Sequence, residues 1–351
     1  MEQNNALELQ CFQTPVKQPL TPPTYTSSFS TIRQGNITND LTKIRPRESN
    51  TSVDFITGAA TTTQGNFAIT FPDLDGLQGL KTSTYKLLDA ITVALTESGA
   101  KSAKVTLPLD EYMSKCGLKD RKEARKQAGA DLETLFNARV TYKEKARKRG
   151  RKAGTEEPDF YDMRICEAKG IRNGIISFSF GESFFNLLKG YPVMPYPPQL
   201  WRLSSKCNPN SFYFLRKISE HKNMNVGKKN EDTIAVKTLL AAAPYMPSYD
   251  EVMSSDRALN RRIVEPFERD MDELAETLTW EYCHINGAPL TDEEASGMDY
   301  NIFSGLNVHV FWKEYPDQAA RLEAKAERQA AKRNASKKKK ADDATKHDGE
   351  A

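Results

Sequence analysis

The stretch KVTLPLDEYMSKCGLKDRKEARKQAGADLETLF, residues 104 to 136, decides the reading of the whole chain. Lys104-Val105-Thr106-Leu107 alternates polar and apolar side chains, the two-residue period of a short half-buried strand. Leu109 to Lys115 carries helix formers and is stopped by Gly117. Asp120-Arg121-Lys122-Glu123 has the spacing at which an acidic cap and a glutamate three residues on satisfy the free amides of a helix start. That predicts a third element, a helix from Asp120 to Phe136, set a tight turn away from the second.

Working outward, Leu88, Ile91 and Leu95 share one helical face, which predicts a helix over Ser83 to Glu97 closed by Gly99. Alternation takes over in Ala138 to Tyr142, in Phe160 to Glu167 and in Ile175 to Phe180, the last two joined by Gly170-Ile171-Arg172-Asn173-Gly174. Helix, strand, helix, helix and then sheet is the order of a winged helix. The same order recurs downstream: a helix from Ser211 to Glu220, a strand from Thr233 to Val236, a helix from Lys237 to Ala243, and a Pro-rich turn from Pro244 to Pro247. Leu259, Ile263, Phe267, Met271 and Leu274 then mark a long helix that Pro266 should bend, because its ring crowds the carbonyl of Arg262. Strands are predicted over Thr279 to Ile285 and Tyr300 to Trp312, with Asn286 to Asp299 a turn-rich excursion of wing length. The fold class expected is therefore α+β: two tandem winged-helix domains, 67–190 and 191–317. The cut falls at Gly190 to Pro198, where four prolines should forbid regular structure.

Outside those domains, residues 1–66 are dominated by Gln, Asn, Thr, Ser and Pro without sustained apolar periodicity, and are expected to be a disordered polar arm. Residues 318–351 begin with a helical Ala, Glu, Arg and Lys pattern and end in a basic, polar tail, with Lys337 to Lys340 at its centre. Hydrophobic residues make up 38% of the 351, which fits a chain with solvated ends. Cys11, Cys116, Cys166, Cys207 and Cys283 lie far apart with no C-x-x-C pair, so neither a disulfide framework nor a zinc knuckle is indicated, and a reducing cytoplasm fits best. The N-terminus lacks a basic region followed by an apolar stretch, and no 18-residue apolar run occurs, so a soluble protein that is neither exported nor held in a membrane is expected.

No catalytic, cofactor-binding or metal-ligating set emerges. Gly79-Leu80-Lys81-Thr82 lacks the glycines of a phosphate loop, and His221, His284, His309 and His347 are too scattered to hold the metal of a nuclease or relaxase. Charge placement is the stronger signal. The net charge is only +3, but Arg121 to Lys152 holds twelve Lys or Arg against four acids. These fall in two places: the first turns of the Asp120 helix, with Arg121, Lys122, Arg125 and Lys126, and a segment read as the first wing, with Lys143, Lys145, Arg147, Lys148, Arg149, Arg151 and Lys152. With Ala124, Ala128, Leu132 and Leu135 as the buried arc, Lys122 and Lys126 point most directly into a groove, and Arg121 and Arg125 lie nearer the arc. In the second domain Arg257, Asn260, Arg261 and Arg262 open the third helix, and Arg and Asn can bond guanine and adenine edges in pairs. Double-stranded DNA is the partner these residues suit.

The chain further resembles plasmid replication initiators of the tandem winged-helix, iteron-binding type. The resemblance lies in Ile175 to Phe180 leading into Phe184-Phe185-Asn186-Leu187-Leu188, and in Leu203-Ser204-Ser205-Lys206 before the helix with Phe212, Phe214 and Leu215. It continues in Arg262 to Leu274 followed by Thr279-Trp280-Glu281-Tyr282. It spans about Phe67 to Tyr315 and leaves both ends unmatched. The resemblance implies a non-enzymatic protein without cofactor that binds directly repeated sites at an origin and helps open it. It also implies recruitment of the host's initiator and helicase; a homodimer is the further partner expected. A transcriptional regulator or architectural protein with the same two winged helices is the alternative that the residues alone leave open.

Overall fold

In a computed structural model, residues 28–44, 50–143, 160–255 and 258–317 are described, together with residues 322, 323 and 327. The N-terminal part was expected to be a disordered arm, yet within the described residues it is built into the fold. Strand β1 (Ser30–Arg33) and helix α1 (Asn36–Lys43) bury Ile32, Ile37 and Leu41. Strands β2 (Thr51–Val53), β3 (Ala60–Gln64) and β4 (Phe67–Phe71) pair in antiparallel order. The reason the sequence concealed them is chemical. β3 is mostly threonine, which favours the extended backbone through its branched Cβ but carries no apolar alternation.

After a short α2 (Leu74–Gln78), the first repeat runs as the sequence predicts: α3 (Thr82–Glu97), β5 (Lys104–Pro108), α4 (Leu109–Cys116) and α5 (Arg121–Asn137). Asp120 caps α5 by accepting from the Glu123 amide at 3.0 Å. Central α3 is buried on most of its circumference, Leu87, Leu88, Ile91, Val93 and Leu95 among the buried, because it packs against β1, β5 and α5 at once.

The next strands divide between two sheets. β6 (Arg139–Lys143) and β7 (Phe160–Arg164) join a five-stranded sheet ordered β2-β3-β4-β6-β7. The predicted strand Phe160 to Glu167 is split at Ile165. Its second part starts β8 (Cys166–Arg172), which forms a hairpin with β9 (Ile175–Phe180). The repeat's own sheet is β5-β9-β8, whose hairpin is 166–180, whereas β6 and β7, the strands on either side of the segment read as the first wing, belong to the five-stranded sheet; the segment beyond Lys143 lies outside the described residues. Asn173 and Gly174 close that hairpin with φ of 51° and 73°, the left-handed pair of a type I′ turn.

The proline seam after α6 (Glu182–Gly190) also differs from expectation. β10 (Val193–Tyr196) pairs antiparallel with β1, Ile32 opposite Met194 and Thr31 opposite Pro195. A two-stranded sheet consists of edges alone, and an edge tolerates a residue without an amide hydrogen. Arg33 Nη1 donates to the carbonyls of Lys189 (2.8 Å) and Tyr191 (3.0 Å), and a Cβ on Gly35 would overlap the Tyr191 ring, which fixes glycine there.

The second repeat follows a short α7 (Gln199–Arg202): α8 (Ser211–Asn225), β11 (Thr233–Ala235), α9 (Val236–Ala242) and α10 (Tyr249–Ser255). Then come a π-helical turn (Asn260–Val264), α11 (Glu265–Asp272) and a 3-10 turn (Glu273–Glu276). Pro266 was expected to bend this helix. A π turn lies directly before it, wide enough to accommodate the missing amide and the crowded carbonyl, and Leu259, Val264, Glu265 and Glu273 all have right-handed helical dihedrals. β12 (Leu278–Cys283) and β13 (Asn307–Trp312) complete a sheet ordered β11-β13-β12. Between them lie α12 (Asp292–Ser296) and α13 (Tyr300–Gly305). The predicted strand from Tyr300 therefore begins only at Asn307, because Asp299 accepts from the Ile302 amide at 2.8 Å and starts a helix.

The architecture is α+β with antiparallel sheets, and both repeats resemble a winged helix. Their interiors are continuous: one cluster of buried side chains runs from Ile32 through Leu88 and Leu200 to Phe267 and Val310. At the junction the Arg216 guanidinium on α8 pairs with Asp89 on α3, and the Tyr196 hydroxyl of β10 donates to the same carboxylate at 3.0 Å. Burial pushes the Asp89 carboxyl above its usual value, and Arg216 opposes that push. Lys86 adds two donations, to the Trp201 (2.9 Å) and Leu203 (2.6 Å) carbonyls. The tail beyond residue 317 lies outside the described residues apart from the three named above.

Candidate nucleic-acid interface

The front of α5 is organised by what holds its middle. Asp131 is buried against α3, where its Oδ1 accepts from Thr84 Oγ1 (2.7 Å), Ser83 Oγ (3.0 Å) and Gln127 Nε2 (3.1 Å). Burial raises its carboxyl above the ordinary value, and the three donors pull it back. With Ala124, Ala128, Leu132 and Leu135 buried as the sequence indicated, the first two turns of α5 project with Arg121, Lys122, Arg125 and Lys126 all exposed.

These four cations differ in what they touch. Arg121 reaches Asp110 at 3.3 Å, and Arg125 Nη2 donates to the Ile171 carbonyl at 3.2 Å, so both lean on neighbouring elements. The side chains of Lys122 and Lys126 make no ion pair or hydrogen bond among the described residues. Arg172, exposed beside the Asn173-Gly174 turn, extends the cationic front onto the hairpin. The Gly174 carbonyl accepts from the Leu109 amide at 2.8 Å, which fixes that turn beside the start of α4. The sequence does not single out Arg172 by charge density, although the Asn-Gly pair between two alternating runs is a strong hairpin signal.

Of that segment, only Lys143 is described. It is exposed at the end of β6, and its amide donates to the Asn66 carbonyl at 2.9 Å. Lys145, Arg147, Lys148, Arg149, Arg151 and Lys152 lie outside the described residues. β6 leaves from the C-terminal end of α5, a helix about 25 Å long, so the stem of this segment and the cationic helix front start from opposite ends of α5.

In the second repeat, Asn260 and Arg261 are exposed on the π turn and Arg262 is half-buried, whereas Arg257 lies outside the described residues. The rear of this helix is anchored by aromatics. Phe267 is fully buried, its ring 5.1 Å from Phe214, 5.3 Å from Phe303 and 6.2 Å from Trp280. Asp270 accepts from the Asn210 amide (3.0 Å) and side chain (2.9 Å), tying α11 to the start of α8. The excursion between β12 and β13 differs sharply from the first repeat: from Tyr282 to Trp312 there is no Lys or Arg, while Asp292, Glu293, Glu294 and Asp299 are present. His284 is held by Glu294 at 3.2 Å.

Among the described residues, no group of three His, Cys, Asp or Glu could hold a metal ion, and no helix is long and apolar enough to cross a membrane. No protein-family model matches the chain, and no curated protein matches it in sequence. Among the solved structures similar to it are two of RctB. One is a crystal structure of domains 2 and 3 of RctB as the selenomethionine derivative, 13% identical, covering 78% of this chain and 98% of that one with a TM-score of 0.44. The other is a further crystal structure of RctB domains 2-3, 13% identical, covering 79% of this chain and 97% of that one with a TM-score of 0.39.

Proposed function

We propose that this chain is a sequence-specific double-stranded DNA-binding protein that reads DNA through two winged-helix repeats in tandem. In this reading it binds repeated sites at a plasmid replication origin, helps open the duplex there and brings host replication proteins to it. One observation carries the reading. The chain twice builds a helix, a strand and further helices onto a three-stranded antiparallel sheet with the last strand central, and each time the helical segment leading to the last two strands exposes groups suited to DNA near its start: Arg121, Lys122, Arg125 and Lys126 in one, Asn260 and Arg261 in the other. The initiator role rests on the resemblance of the segments around Phe184, Phe212 and Phe267 described above.

The first repeat supplies most of the phosphate attraction, since its helix front and hairpin are cationic. The second, with an acidic excursion in place of a basic wing, reads through its helix alone. Chemistry on DNA is not part of the proposal; the work is done by binding and deformation, without cofactor. Selection of duplexes from a random pool with the full chain tests the reading. Enrichment of a site long enough for two adjacent major-groove contacts, recurring in direct repeats beside an AT-rich stretch near the gene, is the outcome expected. A pool that stays random after several rounds overturns it.

A further inference from the structure

The turn joining β2 and β3 displays two large apolar side chains to solvent. Phe55 is 99% exposed and Ile56 96% exposed, and Val53 and Leu74 on α2 are also exposed. The turn is built to hold them there. Asp54 Oδ1 accepts from the Ile56 (2.8 Å) and Thr57 (3.3 Å) amides, the Gly58 amide donates to the Asp54 carbonyl at 2.7 Å, and the Asp54 amide donates to the Ala59 carbonyl at 2.8 Å. Those amide donors also hold the Asp54 carboxyl below its usual value. Ordering two apolar side chains in water gains nothing for folding, so their cost points to a contact made outside the chain.

The surroundings select the partner's chemistry. Asp54, Asp73 and Asp75 are exposed in the turn and on α2, and no Lys or Arg occurs anywhere between Arg47 and Lys81. An anionic rim of this kind repels DNA phosphate. It also lies away from the cationic helix front: Gly79, at the end of α2, packs on Thr134 of α5, thirteen residues beyond Arg121, or about 20 Å along the helix. We propose that the Phe55–Ile56 turn is a docking knob for another protein, one with an apolar cleft bordered by Lys and Arg. Phe55 and Ile56 fill the cleft and the three aspartates meet its rim, which speeds encounter and rejects acidic competitors. The knob acts independently of DNA reading, so DNA affinity serves as its control.

A photo-crosslinking phenylalanine analogue placed at position 55 of the full chain, in cells that carry the gene, identifies the partner. The purified partner is then titrated against wild type, against Phe55→Ser/Ile56→Ser and against Asp54→Lys/Asp73→Lys/Asp75→Lys. The expected results are crosslinks inside a Lys/Arg-bordered apolar cleft and binding weakened by roughly tenfold or more in both variants. Melting temperature and DNA affinity should stay unchanged in the serine variant, as side chains this exposed require. Crosslinks to DNA, to a second copy or to this chain's own residues overturn the proposal, as does the absence of any crosslink or a partner whose affinity ignores both variants.

Discussion

Breaking the junction between the repeats tests the architecture most sharply. Arg216→Met leaves the Asp89 carboxylate almost fully buried with only the Tyr196 hydroxyl to stabilise it, and an uncompensated buried charge of this kind costs about 3 to 5 kcal/mol. Asp89→Asn should be damaging for the converse reason, since it strands the guanidinium. Combining the two removes both charges, keeps an acceptor for Tyr196 and retains most of the volume, so the double variant should lie within about 1 kcal/mol of wild type. The cycle then yields a coupling energy of about 3 kcal/mol or more. Urea unfolding read by tryptophan fluorescence is suited to it, because buried Trp201 lies 4.5 Å from the Tyr196 ring. With a slope of about 2 to 3 kcal/mol/M, the Arg216→Met midpoint should fall by about 1 to 2 M. A double variant as unstable as the sum of its parents would refute the direct pairing of α3 with α8.

Three further outcomes follow from the site. Phe267→Ala should lower stability by about 3 to 5 kcal/mol in a thermal or urea melt, because it empties the middle of an aromatic cluster, and should change DNA binding only through unfolding. Asp131→Ala should cost about 1 to 3 kcal/mol by stranding the Thr84, Ser83 and Gln127 donors, whereas Asp131→Asn keeps an acceptor and costs less. Since folding raises this carboxyl's pKa above 3.8, its contribution is fully present below that pH and is lost as pH rises through the folded value, so wild type should gain on Asp131→Asn as pH falls toward 3.8 in parallel melts. In thiol labelling of the native protein at pH 8, mapped by mass spectrometry, Cys207 should react rapidly, while Cys166, buried and pushed up to about 11, should react orders of magnitude more slowly.

How much of this was legible in the sequence depends on the range of each signal. The Asp120 cap, the Gly117 stop and the in-out alternation of Val105 and Leu107 are local, and the structure places each where the chain indicates. The five-stranded sheet was not legible, because β6 pairs with β4, some seventy residues earlier, and the threonines of β3 give no apolar rhythm. The π turn was hidden for a different reason: the spacing of Leu259, Ile263, Phe267, Met271 and Leu274 suits a helix with or without one extra residue in a turn. Of the candidate site, the helix front was readable from helical phase and charge alone. The hairpin's identity was not, because charge density does not say which sheet a strand joins.

Engagement of double-stranded DNA by the cationic front of α5 is put to the test by a salt titration. Affinity of the full chain for a selected duplex should fall by orders of magnitude between about 50 and 200 mM salt, and Lys122→Ala/Lys126→Ala should flatten the log-log slope by about 2 while leaving the melting temperature unchanged. A flat salt response in the wild type, or a double variant with the wild-type slope, would contradict the account.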